Sequence, residues 1–526
     1  MEQSEILRLK NRRQYIVSPR QIEFSSYFVE RKLTENCFLY SHIDLNVTQF
    51  QNGKVSLTLL GEIFDYESPK KGNKDILKDL SSENLKLFYE RLSEYAGRYV
   101  IIRISEGQIF FFHDAMASRK VYYTSTKNGN WCCSRPQMLA GILHINISKN
   151  QSIQRYLESN GYKGLNNANI GNLTTYENIF QLMPNHYLKF HELSAVRYWP
   201  DKTIQLLPFK EVAAKCAAMI KGYMAAFNER FDLMVPLTGG KDSRVIMAAT
   251  KEFRDEVYYY VNKERRLKDN STDITIPNKM AKNLGFDFHV LDPFNTTIDK
   301  DFEKVYYENN PSASSRYFPI IHNYFTYFGH KVNVPGVFAA AGTDMYGTYY
   351  KNISPFTIAR SNRVEDFDFA VQYYSRWLNK NLKICREANV SIFTLLYWEE
   401  RVGNWGSQIQ LEKDIAQEDL TPYNSRKLIE YTYSIDQKYN NQPDFLLHKE
   451  ILKILWPETL KFQINPEFRR YTKYIIHFLR IFHLLFTLRF IVTNWWCRIK
   501  GQKNKKLNTS TNYKLEPDRF EMAKAI

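Results

Sequence analysis

The sequence predicts an α/β protein in two folded parts followed by a basic tail. Three observations carry that prediction. Short alternating apolar runs fill the first 200 residues, strands alternate with helices after Pro208, and an acid-free basic stretch lies near the end. The parts span 1–200, 205–465 and 466–526. With 526 residues, 44% hydrophobic and 15% aromatic, the chain can bury a sizeable core, which excludes a disordered protein.

In the first part Val55–Leu60, Tyr99–Ile104 and Gln108–His113 alternate between Gly or charged turns and read as strands. One helix is expected over Ser82–Tyr95, and Tyr187–Trp199 reads as a closing strand pair. After Pro208 the style changes. Phe209–Asn228 is amphipathic, rich in Ala and Met, and predicts a helix. The apolar strand Phe231–Leu237 runs through Thr238-Gly239-Gly240-Lys241-Asp242-Ser243 into a helix over Arg244–Lys251. Strand Val257–Val261, helix Asp273–Leu284, and strands Asp287–Leu291 and Lys331–Val334 follow. That order describes a parallel sheet wrapped by helices. Residues 355–460 read as helical.

The loop at 238–243 carries the chemistry. Two glycines permit unusual backbone conformations and a ligand's close approach. The following helix offers free N–H groups and a positive dipole end to an anion. Thr238 and Ser243 add hydroxyls, and Lys241 adds a cation for phosphate. Asp242 would repel phosphate unless a divalent cation bridges them, so it reads as a Mg²⁺ ligand. The spacing is not that of a Walker loop. A second small-residue segment, Gly336 to Asp344, ends in an acid after strand Lys331–Val334 and would bring Asp344 to the same ion.

These residues resemble a family. Val235-Pro236-Leu237-Thr238-Gly239-Gly240-Lys241-Asp242-Ser243-Arg244 is similar to the pyrophosphate-binding loop (PP-loop) of N-type ATP pyrophosphatases, in the asparagine synthetase and β-lactam synthetase branch. Ser271-Thr272-Asp273, Gly342-Thr343-Asp344 and the run from Thr421-Pro422-Tyr423 to Glu430 resemble later segments of that branch. Gly61-Glu62-Ile63-Phe64, Gly97-Arg98-Tyr99, His113-Asp114, Arg119 to Tyr123 and Arg197-Tyr198-Trp199 resemble its N-terminal glutaminase domain. The resemblance implies an Ntn-hydrolase-like αββα sandwich ahead of a PP-loop synthetase domain. It implies ATP and Mg²⁺ as cofactors and an AMP-forming reaction, in which a carboxylate is adenylated and attacked by ammonia or an amine. Thr238, Gly239, Gly240, Lys241, Asp242, Ser243, Val261 and Gly342 would bind the nucleotide, Asp242 and Asp344 the metal, and Lys241, Asp242, Asp344 and Lys461 would act in catalysis.

The chain departs from that family at several positions. The family's glutaminase cysteine at position two is Glu2, and the oxyanion-hole Asn-Gly-Glu is Leu60-Gly61-Glu62, so glutamine hydrolysis is not expected. Ala340 or Ala341 replaces a carboxylate, Met345 replaces the acid after Asp344, and only Lys461 is offered for the late lysine. Two alternatives stay open: a tRNA-modifying PP-loop enzyme, and a non-catalytic ATP-binding scaffold. Glu399, Glu400 and Arg401 read as a solvated helix face, against the alternative of substrate contacts.

The formal charge of +16 is unevenly placed. Residues 468–506 hold ten Lys/Arg and no acid. A basic tail on a near-neutral body does not call for a nucleic-acid partner. Residues 473–499 place Lys473, His477, Arg480 and Arg498 on one helical stripe beside Trp495-Trp496. That pattern suits an anionic membrane surface or packing on protein better than a span. The six cysteines form no C-x-x-C pair, Cys132-Cys133 reads as a buried strand pair, and no apolar run follows Arg8–Arg13. A disulfide framework and a secretory signal are therefore not expected, and a cytoplasmic protein is, peripheral at the membrane's inner face if the tail binds lipid.

Overall fold

Twelve strands build the first part: Tyr15–Ser18 (β1), Phe28–Thr34 (β2), Cys37–His42 (β3), Val47–Asn52 (β4), Val55–Phe64 (β5), Ala96–Ser105 (β6), Gln108–His113 (β7), Tyr122–Thr126 (β8), Gly129–Cys133 (β9), Phe180–Gln181 (β10), His186–Lys189 (β11) and Ser194–Arg197 (β12). The computed structural model describes residues 1–264, 267–343, 353–440 and 444–464. The strands form two six-stranded antiparallel sheets, ordered β10-β8-β9-β1-β3-β2 and β12-β11-β7-β6-β5-β4.

Alternation along each strand sorts side chains into layers. Val100, Ile102, Ile109 and Phe111 share a core with Tyr15, Val17 and Leu39 of the other sheet. Their neighbours Tyr99, Ile101, Phe110 and Phe112 face the opposite way, in one cluster with Ile76, Leu77, Phe88 and Leu92 of helices Asn73–Ser81 and Leu85–Leu92. Ile16, Tyr122, Trp131 and Cys133 meet Met138 and Leu139 of helix Pro136–Leu143. The order is helix, sheet, sheet, helix. The helix expected over 82–95 is present as Leu85–Leu92, begun by the Asn84 side chain, which accepts the Leu87 N–H at 3.0 Å, and a further helix, Asn73–Ser81, precedes it. β5 outruns its expected end because Gly61 stays in the ladder opposite Tyr99. Gly61 sits at φ +108°, and a Cβ there would lie 2.2 Å from the Arg98 carbonyl oxygen.

In the second part Leu233–Pro236 (β13), Tyr258–Asn262 (β14), Phe288–Leu291 (β15) and Val332–Asn333 (β16) form a parallel sheet ordered β15-β14-β13-β16. Helix Phe209–Asn228 keeps its expected bounds. The chain steps outward from β13 through β14 to β15, and β16 lies on the other side of β13. The carboxyl ends of β13 and β16 therefore flank a reversal in strand order, where open α/β sheets bind ligands.

One core crosses from the first part to the second. Phe64 meets Phe227 at 4.6 Å, Tyr66 meets Tyr223 at 5.6 Å, and Trp199 meets Trp398 at 4.8 Å between ring centroids. The described residues accordingly belong to one compact unit, Met1–Arg470, and the two expected parts share its interior. Cys132 and Cys133 are buried on β9, and the five cysteines among the described residues are unpaired. Among the described residues no helix is long and apolar enough to cross a membrane. The tail at 473–499 lies outside them.

Candidate functional site

The Thr238–Ser243 loop leaves β13 at its carboxyl end and enters helix Lys241–Ala249, which starts three residues before the expected Arg244, with Gly240 as its cap. The loop is tied to itself. The Thr238 N–H donates to Ser243 Oγ at 3.2 Å, and the Gly240 N–H donates to Thr238 Oγ1 at 3.1 Å. The Gly239 N–H donates to Asp273 Oδ1 at 3.0 Å. Helix-start amides at Lys241, Asp242 and Ser243 have no intrahelical carbonyl, so they remain the loop's natural anion donors.

The glycines serve approach rather than unusual dihedrals, which corrects one expectation. Gly240 has φ −74°, and Gly239 is not in the left-handed region. A Cβ on Gly239 would sit 3.2 Å from the Thr272 carbonyl oxygen and 3.3 Å from Asp273 Oδ1. Small size at 239 lets helix Thr272–Leu284 seat its N-terminus on the loop, with Ser271 as cap.

Asp242 is the centre of the charge arrangement. Lys241 Nζ lies 2.5 Å from Asp242 Oδ1, and His448 Nε2 lies 3.1 Å from both Lys241 Nζ and Asp242 Oδ1. The Tyr423 hydroxyl donates to the Asp242 carbonyl oxygen at 3.1 Å. Burial pushes the Asp242 carboxyl up, but Lys241 and His448 outweigh it and hold the group below the usual carboxylate range. Burial, aided by Lys241, lowers the His448 pKa. The Lys241 cation thus rests on its neighbour's carboxylate, where the sequence suggested a phosphate contact. Asp242 keeps a third of its side chain exposed. An oxygen donor so placed fits Mg²⁺, which commonly takes one or two carboxylates together with substrate phosphates. Among the described residues no group of three His, Cys, Asp or Glu is gathered for a metal.

The second expected segment does reach the loop. β16 pairs with β13, and a Cβ on Gly336 would lie 3.2 Å from Asp242 Cβ. Beyond it, Tyr433 donates its hydroxyl to the Ala341 carbonyl and Asn440 Nδ2 donates to the Gly342 carbonyl. Asp344 and Met345 lie outside the described residues. Val261 is buried near the end of β14. Lys461 is exposed, while its chain neighbours are tied to the loop helix: Arg244 donates to the Thr459, Phe462 and Gln463 carbonyls at 3.3, 2.9 and 2.7 Å.

His448 is the residue that sequence reading misses, since no metal-like histidine spacing marks it. Tyr423 and Asp273 stand out in the sequence only as parts of longer strings, yet both contact the loop.

Glu399 and Glu400 overturn the solvated-face reading. They are 1% and 6% exposed, inside a π-helix over Tyr397–Gly406. Arg197 pairs with Glu399 at 2.5 and 2.9 Å. Glu400 has neutral partners: the Tyr373 hydroxyl and the Gly171 N–H each donate at 3.0 Å. Burial pushes Glu400 up to about 8 from an ordinary 4.5. A carboxyl whose folded pKa is raised contributes its stability fully below the unfolded value and loses it as pH rises through the folded one. The stability advantage of wild type over Glu400→Gln should therefore shrink between pH 4.5 and about 8. Thermal unfolding of both proteins across that range checks this, and a constant difference would refute it.

At the positions that resemble a glutaminase site, Glu62 accepts from Asn46 and Asn73 at 2.7 and 3.0 Å and pairs with Arg230 at 3.3 Å. Arg98 and Arg119 reach the second part. Arg98 binds Asp414 at 2.5 and 3.1 Å and Glu418 at 2.9 Å, and Arg119 binds both Glu418 oxygens at 2.9 Å. Helix Gln3–Leu9, which follows Glu2, buries Leu9 in a cluster with Phe302 and Tyr306.

No protein-family model and no curated protein matches this chain. Among solved structures, it is similar to a glutamine phosphoribosylpyrophosphate (PRPP) amidotransferase from B. subtilis complexed with ADP and GMP. That likeness covers 59% of this chain and 90% of that one, at 10% identity and a TM-score of 0.24, and carries no weight for fold or function.

Proposed function

We propose that this chain is an ATP-dependent amide ligase of the asparagine synthetase and β-lactam synthetase type, forming AMP and pyrophosphate, with an Ntn-hydrolase-like first part that does not hydrolyse glutamine. The observation that carries this is the Thr-Gly-Gly-Lys-Asp-Ser loop between a parallel strand and a helix, at the reversal of strand order, with the β16 segment against Asp242. The helix-start amides and the Thr238 and Ser243 hydroxyls would orient the pyrophosphate moiety. Asp242 would hold Mg²⁺, whose charge offsets that of the phosphates. Lys241 and His448 set the charge of Asp242 and keep it ionised. Asp273, already bonded to Gly239, would stand beside the nucleotide and favour the metal-bound form. In this reading the substrates are a carboxylate and ammonia or an amine, the protein is cytoplasmic, and the basic tail takes it to an anionic membrane surface.

Pyrophosphate release from Mg²⁺–ATP, measured with a panel of carboxylates and amines, tests the reading. Release that needs both a carboxylate and an amine is the expected result. ATP binding without release would replace it with a scaffold role, and tRNA-dependent release with a modification enzyme.

A further inference from the structure

Behind the loop helix lies a small apolar cavity of about 30 Å³. Helices Phe209–Asn228, Lys241–Ala249, Arg426–Tyr433 and Leu446–Leu455 wall it, together with the turn Ala339–Gly342. Ile220, Val245, Phe338 and Ile451 give its surface an apolar character. Two lining side chains carry buried polar atoms that have no hydrogen-bond partner among the described residues: Asn440 Oδ1 and His448 Nδ1. Asn440 is fully buried, and its Nδ2 donates to the Gly342 carbonyl, which fixes Oδ1 as the free acceptor end. His448 is 7% exposed, and its Nε2 lies 3.1 Å from the Asp242 carboxylate. Lys241 Nζ, also 3.1 Å from Nε2, donates to the same carboxylate, and in the neutral His448 tautomer that directs its Nε2 hydrogen there as well, Nδ1 is an acceptor too.

Among the described residues the main donors around the cavity already have partners. The Thr432 hydroxyl donates to the Ile429 carbonyl, the Tyr423 hydroxyl to the Asp242 carbonyl, and the Asn440 amide to Gly342. Two acceptors in an apolar wall ask for a ligand that donates N–H or O–H and demands little in return. Among the described residues no carboxylate lines the cavity, so a cation would enter without a counter-charge from them. The volume admits only a few heavy atoms, since one water needs roughly 10–15 Å³ by the same measure.

We propose that this cavity binds a small neutral amine, ammonia or methylamine, through N–H donation to Asn440 Oδ1 and His448 Nδ1. It rests on the ligase reading for its role as the nucleophile's pocket, though not for binding itself. Among the described residues, the titratable groups on the wall are Cys216, Tyr423 and His448, with Lys241 and Asp242 against the far edge of His448. Burial raises Cys216 and Tyr423, so both stay neutral.

The test is thermal unfolding of the full chain with methylamine and no nucleotide, with n-butylamine as an oversized amine and tetramethylammonium as an ionic control. A saturable rise in Tm is expected with methylamine alone. Its apparent affinity should increase about tenfold per pH unit below the amine's pKa, following the neutral fraction. Asn440→Leu should remove the rise. Ala339→Val, which narrows the cavity and leaves the Asn440–Gly342 bond in place, should weaken it. No rise, an equal rise with n-butylamine, or an unchanged rise in folded Ala339→Val protein would overturn the proposal. Methylamine stabilisation without carboxylate-dependent pyrophosphate release would keep the pocket and reject the ligase. Release without stabilisation would do the reverse.

Discussion

Asp242→Asn is expected to lower ATP-dependent pyrophosphate release by about 100- to 1000-fold or more while leaving the protein folded. The magnitude is that of removing one preorganised electrostatic contact from an active site. Asn matches Asp in shape and keeps an oxygen for Lys241 and His448, so the local geometry survives. What disappears is the charge. Lys241 Nζ, 2.5 Å away, then loses its counter-ion, and a divalent cation loses its carboxylate. Nucleotide binding separates these effects, because Mg²⁺-dependent affinity should fall while metal-free ATP binding holds or improves. The side chain is a third exposed, so the substitution removes little packing. Circular dichroism and unfolding checks should match wild type. Turnover equal to wild type would remove Asp242 from the chemistry and the loop from the site.

Arg98→Ala should cost more stability than any of the other single substitutions, about 3–5 kcal/mol, the usual cost of leaving a buried charge unpaired. Arg98 and Asp414 are each 1% exposed, and their bidentate pair is supported by Glu418 at 2.9 Å and by Gln14, whose Nε2 donates to Asp414 at 2.8 Å. Burial alone would raise the Asp414 pKa, but Arg98 and Arg119 outweigh it and hold the carboxyl down. Removing the guanidinium strands that carboxylate in the interior. The double variant Arg98→Met/Asp414→Leu removes both charges and should recover much of the loss, since an apolar pair of similar volume often replaces a buried ion pair at little cost. Urea denaturation of the three proteins measures this. A double variant no more stable than the single one would show that packing, and not charge pairing, decides the site. The same experiment tests how the first and second parts hold together, because Arg98 belongs to β6 and Asp414 follows helix Ser407–Lys413.

Much of the second part is legible because its signals are local. Helix Phe209–Asn228 matches its expected bounds to the residue, since Val212, Cys216, Ile220 and Tyr223 recur at helical spacing and all are buried. The strand, glycines and acid at 233–242 announce the loop in the same way. Differences arise where a single side chain redirects the backbone. Asn84 caps the helix near 82–95 so that it begins at Leu85, and the loop helix begins at Lys241, earlier than the apolar pattern suggests. Glu399 and Glu400 mislead because acids in a helix usually face water. Arg197, 202 residues earlier in the chain, and the Tyr373 hydroxyl supply the partners that let them be buried.

By itself the sequence determined the class of the protein, the alternation of strands and helices, and the loop with Asp242 at a strand's carboxyl end. These depend on side-chain periodicity and turn chemistry within a few residues of one another. The tertiary structure alone decided what surrounds that loop. It set His448 beside Lys241 across 207 residues and Asp414 against Arg98 across 316, and it turned the glycine at 239 into a seat for a neighbouring helix. Such contacts follow from how buried faces of distant elements pack, and no local pattern encodes which residues packing will bring together.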